Sequence, residues 1–322
     1  MTDIPNLYRT MLLIRRLEEE TARVYPTDKI KSPVHLAIGQ ESVAAGVCAA
    51  LRDDDIVFGT YRSHATYVAK GGDVRAMVAE LYGKESGCSK GKGGSMHLMD
   101  VQRGVMGTSA IVATTIPHAV GYAWALRQRG SDAVVVSFFG DGAVEEGVFH
   151  ESLNLAQLKR VPVLFVCENN GLAIHSRLAA RQANVHIWRH AEFYGMPSAH
   201  IDDGDVVAIN QAAERAISEM RAGGGPQFLE CVTFRLREHV GPNEDWGLGY
   251  RNVAESQPWV ENDQIARLGE MLGAGHRAAL AQEVEDVVTD AFAFAEASPF
   301  PPPGELLTEL VRGEAAPVWS AS

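Results

Sequence analysis

Residues 133–142 read AVVVSFFGDG, and residues 161–170 read VPVLFVCENN. Each stretch is a short apolar run that ends in polar residues, which is typical of a strand buried on both faces of a parallel sheet. A helix is predicted between them, over residues 145–158, so the two strands form a βαβ unit. These stretches therefore predict an α/β fold in which a parallel sheet is flanked by helices.

The polar ends of the two strands predict a ligand site. Asp141 and Asn170 are 29 residues apart, and the crossover helix places both at the carboxyl edge of the sheet, where open parallel sheets bind ligands. A carboxylate and an amide carbonyl suit Mg²⁺ when diphosphate oxygens are its other ligands. The helix that follows Asp141 would offer backbone N–H groups to the diphosphate. A lone GDG is more often a turn and a lone NN a loop end, but their occurrence at two such strand ends favours the ligand site.

The composition excludes several classes of function. The chain has 322 residues, of which 46% are hydrophobic and 22% charged, and its net charge is −12, so we expect a globular protein without a nucleic-acid partner. No apolar run approaches the roughly 18 residues of a membrane helix. Residues 1–5 lack the basic and apolar segments of a signal peptide. We expect a cytoplasmic protein with no membrane contact.

Periodicity and turn residues predict the remaining organisation. We expect residues 1–275 to form one α/β domain and residues 276–322 to be a C-terminal helical extension. Residues 83–109 are rich in glycine and lysine and are predicted to form a long ordered loop. Further helices are predicted over residues 4–25, 40–51, 73–82, 117–129, 205–222 and 278–297, and a further strand over 227–235.

Several motifs occur in a recognisable order. They are HLAIGQE at 35–41, YRSH at 61–64, GKGGSMH at 91–97, the unit from Gly140 to Asn170, and Tyr250-Arg251. On these motifs the chain resembles the alpha subunit of the decarboxylating component of 2-oxo acid dehydrogenase complexes, with pyruvate and acetoin dehydrogenases as the nearest patterns. The spacing of GDG and NN is similar to the thiamine diphosphate signature. The resemblance runs from residue 5 to residue 270 and implies a thiamine diphosphate-binding fold.

The resemblance also implies a metal and diphosphate site. Asp141 and Asn170 would hold Mg²⁺, with the backbone carbonyl of Leu172 as a third protein ligand. Gly142 and Ala143 would lie against the diphosphate of the cofactor.

Further cofactor-binding residues follow from the same resemblance. Tyr61 and Arg62 match positions at the diphosphate and the aminopyrimidine. Ala110 and Val112 match positions whose backbone meets the aminopyrimidine ring, and Arg235 is placed to contact the diphosphate. From the sequence alone, Arg62 is equally typical of a surface arginine.

Two histidines are candidate catalytic residues. His35 matches a family position on the substrate side of the cofactor, although alone it is equally typical of a packed histidine. His239 matches the active-site histidine of a mobile loop and is also expected to contact the cofactor; a histidine moves protons near neutral pH with little pKa adjustment. The family pattern there is Gly-His-Ser, whereas this chain has Glu238-His239-Val240. The hydroxyl that is phosphorylated in mammalian relatives is absent, and the altered loop leaves the acyl acceptor open.

The resemblance implies that the active site is shared. The family supplies the glutamate that activates the aminopyrimidine from a beta subunit, and we expect a heterotetramer in which this chain decarboxylates a 2-oxo acid and passes the acyl group to a lipoyl acyltransferase or carrier domain. The alternatives are acetoin dehydrogenase, a transketolase-like two-carbon transfer from a ketose donor to a biosynthetic acceptor, and a catalytically silent partner-binding subunit. Intact Asp141, Asn170 and His239 disfavour the silent subunit.

Overall fold

A parallel sheet organises the chain, and the computed structural model describes residues 2–308. In chain order, strands β1 to β8 are Ile56–Thr60, Val105–Ser109, Val135–Gly140, Val163–Asn169, Leu172–Ala173, Ser176–Arg177, Ser198–Ile201 and Gln227–Val232. Six of them form the sheet in the order β2-β1-β3-β4-β8-β7, with every neighbouring pair parallel. Strands β5 and β6 form a separate antiparallel hairpin. The predicted α/β fold is confirmed.

Helices cover both faces of this sheet. In the described chain, helices α1 to α12 are Ile4–Val24, Glu41–Cys48, His64–Ala69, Val74–Leu81, Thr115–Gln128, Gly147–Lys159, Leu178–Arg181, Trp188–Phe193, Val206–Arg221, Gln257–Glu261, Gln264–Met271 and Ala274–Ala297. None of these helices is both long and apolar enough to cross a bilayer.

The central strands are mostly apolar because they pack into two cores. Val136 and Phe138 of β3 point into the larger core, which contains residues of α1, α2, α4, α9 and α12. Val135 and Phe139 point into the second core, formed with α5 and α6. Successive side chains of a strand face opposite sides of a sheet, so a strand covered on both faces has no polar alternation. This burial fixes the strands whose carboxyl ends carry the site.

Three strands of the sheet were not predicted. Strands β2 and β7 lie at the two edges of the sheet, and β1 is a short strand that contains Gly59, so none of them gives a continuous apolar run. The loop predicted over residues 83–109 is wrong at its end, because Val105–Ser109 pairs as β2. The strand predicted over 227–235 ends at Val232.

The C-terminal helix packs onto the larger core. Val284, Val288 and Phe292 of α12 are buried in the same cluster as residues of α1 and α4. Of the predicted extension over 276–322, residues 309–322 lie outside the part of the chain that is described.

A buried carboxylate organises the loop between α4 and β2. Glu80 is fully buried. Its Oε2 accepts hydrogen bonds from the backbone N–H groups of Ser89 and Gly91 at 2.8 and 2.9 Å. Its Oε1 accepts from Gly93 and Gly94 at 2.7 and 3.0 Å. One carboxylate therefore satisfies four backbone donors of residues 89–94 in this glycine-rich loop.

We predict that Glu80→Gln destabilises the protein. The amide replaces one acceptor oxygen with a donor, so the N–H groups of Gly93 and Gly94, or of Ser89 and Gly91, lose their partner. An unsatisfied buried donor costs about 1–3 kcal/mol, so the free energy of unfolding in urea should fall by about 2 kcal/mol or more. Glu85→Gln, the same change at an exposed site in the same loop, is the control. Equal unfolding midpoints for the two variants would contradict this role of Glu80.

Candidate active site

The carboxyl ends of β1, β2, β3, β4 and the chain after β8 surround one cavity of about 240 Å³. Ala110 lies between the lining residues Ser109 and Ile111, and His35 lies behind Tyr61; neither lines the cavity itself. The other predicted site residues all line it, and they are Tyr61, Arg62, Val112, Asp141, Gly142, Ala143, Asn170, Leu172, Arg235 and His239.

Asp141 occupies the first position of the tight turn Asp141–Glu145 that follows β3. Its carboxylate is buried and forms an ion pair with Arg181, whose guanidinium also binds Glu145. Burial raises the pKa of Asp141, and the charge of Arg181 opposes that rise. Arg181 is 40 residues away along the chain, on α7, and no sequence signal linked it to the site.

Asn170 follows β4 and faces the same cavity. Its Oδ1 accepts a hydrogen bond from the backbone N–H of Leu172 at 3.1 Å. Its Nδ2 donates to Oε1 of Gln40 at 3.0 Å. Gln40 lines the cavity and is buried. It belongs to the HLAIGQE motif but had no role predicted for it.

The backbone after Asp141 lies close to the hairpin after Asn170. A Cβ added at Gly142 would be 3.0 Å from the Cβ of Ala173, so a side chain here would push the hairpin away. The turn and the hairpin thereby form two adjacent walls of the cavity.

Two buried arginines form the positive side of the cavity. Arg62, which is 7% exposed, donates from Nη1 to the carbonyl of Leu36 at 2.8 Å and from Nη2 to that of His239 at 2.9 Å. Arg235 is 1% exposed; its Nη2 donates to the hydroxyl of Tyr250 at 3.0 Å, and its Nη1 has no partner within residues 2–308. Burial lowers the pKa of each arginine to about 10, so both stay charged at neutral pH. The carboxylate of Asp245 lies 3.7 Å from Nη2 of Arg235, and the unused Nη1 can still bind an anion.

The two histidines and Tyr61 form an aromatic cluster at one end of the cavity. The ring centroid of His35 lies 4.5 Å from that of Tyr61 and 5.1 Å from that of His239. Burial lowers the pKa of His35 and of His239 to about 3, and the charge of Arg62 acts in the same direction. Both imidazoles are therefore neutral at pH 7.

The hydrogen bonds of His239 indicate its tautomer. Nη2 of Arg62 lies 3.3 Å from Nδ1 of His239. A guanidinium only donates, so Nδ1 is the acceptor and the proton resides on Nε2. The His239 loop is held against the His35 segment because the N–H of Gly241 donates to the carbonyl of Val34 at 2.8 Å.

Glu168 is a cavity residue that sequence reasoning missed. It is the third residue from the end of the VPVLFVCENN stretch, and its side chain lines the cavity although it is buried. Burial raises its pKa to about 7, and Arg62 opposes the rise. The only sequence signal was a carboxylate near the end of an otherwise apolar strand.

One wall of the cavity is aliphatic and exposed. Ile111, Val112 and Ile174 line it with exposed fractions of 64%, 43% and 56%. Large aliphatic side chains grouped on a surface are typical of a protein–protein contact.

Comparison with known proteins places the chain in a family. The profile of the dehydrogenase E1 component family matches residues 9–304. The chain is 38% identical over 309 residues to the alpha subunit of an acetoin:2,6-dichlorophenolindophenol oxidoreductase of Bacillus subtilis, covering 94% of this chain and 92% of that one. It is 37% identical to the alpha subunit of the pyruvate dehydrogenase E1 component of Rhizobium meliloti, covering 94% of this chain and 88% of that one. It is 36% identical to the chloroplastic alpha-3 subunit of the pyruvate dehydrogenase E1 component of Arabidopsis thaliana, covering 94% of this chain and 73% of that one. The predicted family is confirmed: this chain belongs to the dehydrogenase E1 component family of thiamine diphosphate-dependent oxidoreductases and matches their alpha subunits along most of its length.

Proposed function

We propose that this chain is the alpha subunit of a thiamine diphosphate-dependent 2-oxo acid dehydrogenase, which decarboxylates a 2-oxo acid and transfers the acyl group to a lipoyl group. The observation that carries the proposal is the charge distribution of the cavity. Asp141 and Asn170 face it from β3 and β4, and the buried Arg62 and Arg235 face it from the other strands. A site that places oxygen ligands beside two buried cations, one of them with an unused donor, fits a metal–diphosphate group.

In this proposal Mg²⁺ is held by Asp141, Asn170 and the backbone carbonyl of Leu172. All three residues line the cavity, and carboxylate, amide and carbonyl oxygens are the ligands that Mg²⁺ prefers. Arg181 pairs with Oδ2 of Asp141, so Oδ1 is the carboxylate oxygen left for the metal.

The diphosphate end of the cofactor is assigned to the arginines and the turn. Nη1 of Arg235, which lacks a partner among the described residues, would bind an anionic oxygen. Gly142 and Ala143 would let the diphosphate approach the backbone. Tyr61, Ala110 and Val112 are placed toward the aminopyrimidine ring.

His35 and His239 are assigned to the substrate end. Thiamine diphosphate, when bound, supplies the carbanion and the electron sink for decarboxylation. The neutral His239 can donate a hydrogen bond from Nε2 to a substrate oxygen, which would stabilise negative charge that develops there. The neutral His35 lies against the same ring cluster, and its Nδ1 has no hydrogen-bond partner in the described chain.

A beta subunit would complete this site. The exposed aliphatic wall of Ile111, Val112 and Ile174 borders the cavity, where a partner would shield the cofactor from water. That partner would supply the glutamate for the aminopyrimidine. A lipoyl acyltransferase or carrier domain would accept the acyl group.

The domain division and the location belong to the same proposal. Residues 1–275 would carry the cofactor half-site. The extension from residue 276 would pack through α12 against the larger core on one face of the sheet. We propose a cytoplasmic enzyme.

A second candidate substrate is acetoin. The relative from Bacillus subtilis, at 38% identity, is named for an acetoin-oxidising activity. Initial rates of the assembled enzyme with pyruvate, branched 2-oxo acids and acetoin, using dichlorophenolindophenol as electron acceptor, distinguish the two. A rate with acetoin alone would replace the 2-oxo acid assignment.

Asp141→Ala should abolish Mg²⁺-dependent binding of thiamine diphosphate, because it removes the only charged ligand proposed for a hard cation. Asn170→Ala should weaken binding less, since it removes a neutral donor. Calorimetry on the assembled complex measures both. Asp132→Ala, which removes an exposed carboxylate that pairs with Arg52, is the control. Unchanged cofactor affinity in Asp141→Ala would refute the metal site.

His239→Ala should leave cofactor affinity largely intact and slow acyl transfer. A hydrogen-bond donor to a developing negative charge contributes about 10²–10³-fold in rate, and steady-state turnover with calorimetric cofactor binding separates the two effects. His276→Ala, at an exposed position of α12, is the matched control. Turnover of His239→Ala equal to that control would place His239 outside the chemistry.

The isolated chain should bind cofactor poorly and show no decarboxylation. Its cavity is open at the aliphatic wall, and the proposed activating glutamate comes from the partner. The test compares the chain alone with the chain purified with its beta subunit, using a 2-oxo acid and an artificial electron acceptor. Full activity of the lone chain would overturn the two-subunit assignment.

A further inference from the structure

We propose that Gln40 is a positioning residue that fixes the orientation of the Asn170 amide, so that its oxygen and not its nitrogen is presented as a ligand. This inference rests on the proposed metal site and assigns a role to a residue outside the proposed ligands. Its basis is the 3.0 Å hydrogen bond from Nδ2 of Asn170 to Oε1 of Gln40.

The two ends of the Asn170 amide are held by different partners. The backbone N–H of Leu172 can only donate, and it lies 3.1 Å from Oδ1, which identifies that atom as the oxygen. Nδ2 is a donor, and Oε1 of Gln40 is its acceptor. Without that acceptor, only the hydrogen bond from the Leu172 N–H would oppose rotation of the Asn170 amide.

The orientation matters because the two ends of an amide are nearly equal in size but opposite in charge. An amide oxygen is a ligand for Mg²⁺, whereas an amide NH₂ has no lone pair to offer and turns its positive hydrogens toward the cation. Outer groups that orient metal ligands typically contribute about 10–100-fold to metal affinity.

Gln40 is itself held by its chain neighbours. Its backbone N–H donates to the carbonyl of Ala37 at 2.8 Å, and it immediately precedes α2. Gly39 has φ +94°, and a Cβ at that position would lie 2.4 Å from the carbonyl oxygen of Phe234. Only glycine therefore fits at position 39, where the chain passes close to the segment between β8 and Arg235.

The residue on the other side of Gln40 is also anchored. Glu41 accepts a hydrogen bond from the N–H of Gly39 at 3.0 Å and forms an ion pair with Arg15. Arg15 also binds Asp263 at 3.0 Å. These contacts anchor the backbone on both sides of Gln40, from which its side-chain Oε1 reaches Asn170.

The test is a double-mutant cycle on Mg²⁺ affinity, measured by calorimetry at saturating thiamine diphosphate on the complex with its beta subunit. Gln40→Met keeps the length of the side chain and removes the acceptor. In the wild-type background it should weaken Mg²⁺ binding about 10–100-fold. In the Asn170→Ala background it should have almost no further effect, because the amide through which Gln40 acts is gone.

Controls separate this inference from the metal site itself. Gln157→Met, the same change on α6 at a surface position whose amide donates to Gly195, should leave affinity unchanged. If Gln40→Met does not fold, Gln40→Asn, which is too short to reach Asn170, replaces it. Equal losses in the two backgrounds, or no loss in either, overturn the role of Gln40 even where Asp141→Ala abolishes metal binding. Metal binding that survives Asp141→Ala overturns the metal site and this inference with it.

Discussion

The parallel pairing of β3 with β4 is the constraint on which the rest of the site depends. In this pair Gly140 lies opposite Glu168, so the residues that follow emerge at the same edge of the sheet. Both strands are buried by helices on both faces, and a shift of register would move apolar side chains to the wrong core. The relative position of Asp141 and Asn170 is therefore set by the packing of the whole sheet.

Charge balance explains how the cavity is arranged along its length. The Asp141 end contains a carboxylate that needs a cation, and Arg181 provides one. The Arg62 and Arg235 end contains two buried cations, and Nη1 of Arg235 has no partner among the described residues. Beyond them, burial keeps His239 neutral. This order of groups along the cavity, from carboxylate to arginines to neutral histidine, fits a ligand that has a metal–diphosphate group at one end and a reactive ring at the other.

The sequence predicted what local patterns encode and missed what distant contacts create. Strands β3 and β4 were predictable because burial on both faces gives an apolar run, and the spacing of Asp141 and Asn170 then located the site. Arg62 and Arg235 were reached through family resemblance, since an arginine reveals its burial only in the fold. The pairing of Arg181 with Asp141 and of Gln40 with Asn170 joins residues 40 and 130 positions apart, and no local pattern records such contacts.

The central claim is that metal and diphosphate bind together at the carboxyl edge of the sheet. The most direct measurement is a crystal structure of the complex with its beta subunit, thiamine diphosphate and Mn²⁺, with the metal located by anomalous scattering. We predict one anomalous peak within coordination distance of an Asp141 carboxylate oxygen, Oδ1 of Asn170 and the Leu172 carbonyl, with a diphosphate oxygen against Arg235. A peak bound by other residues, or a diphosphate at the opposite edge of the sheet, would contradict it.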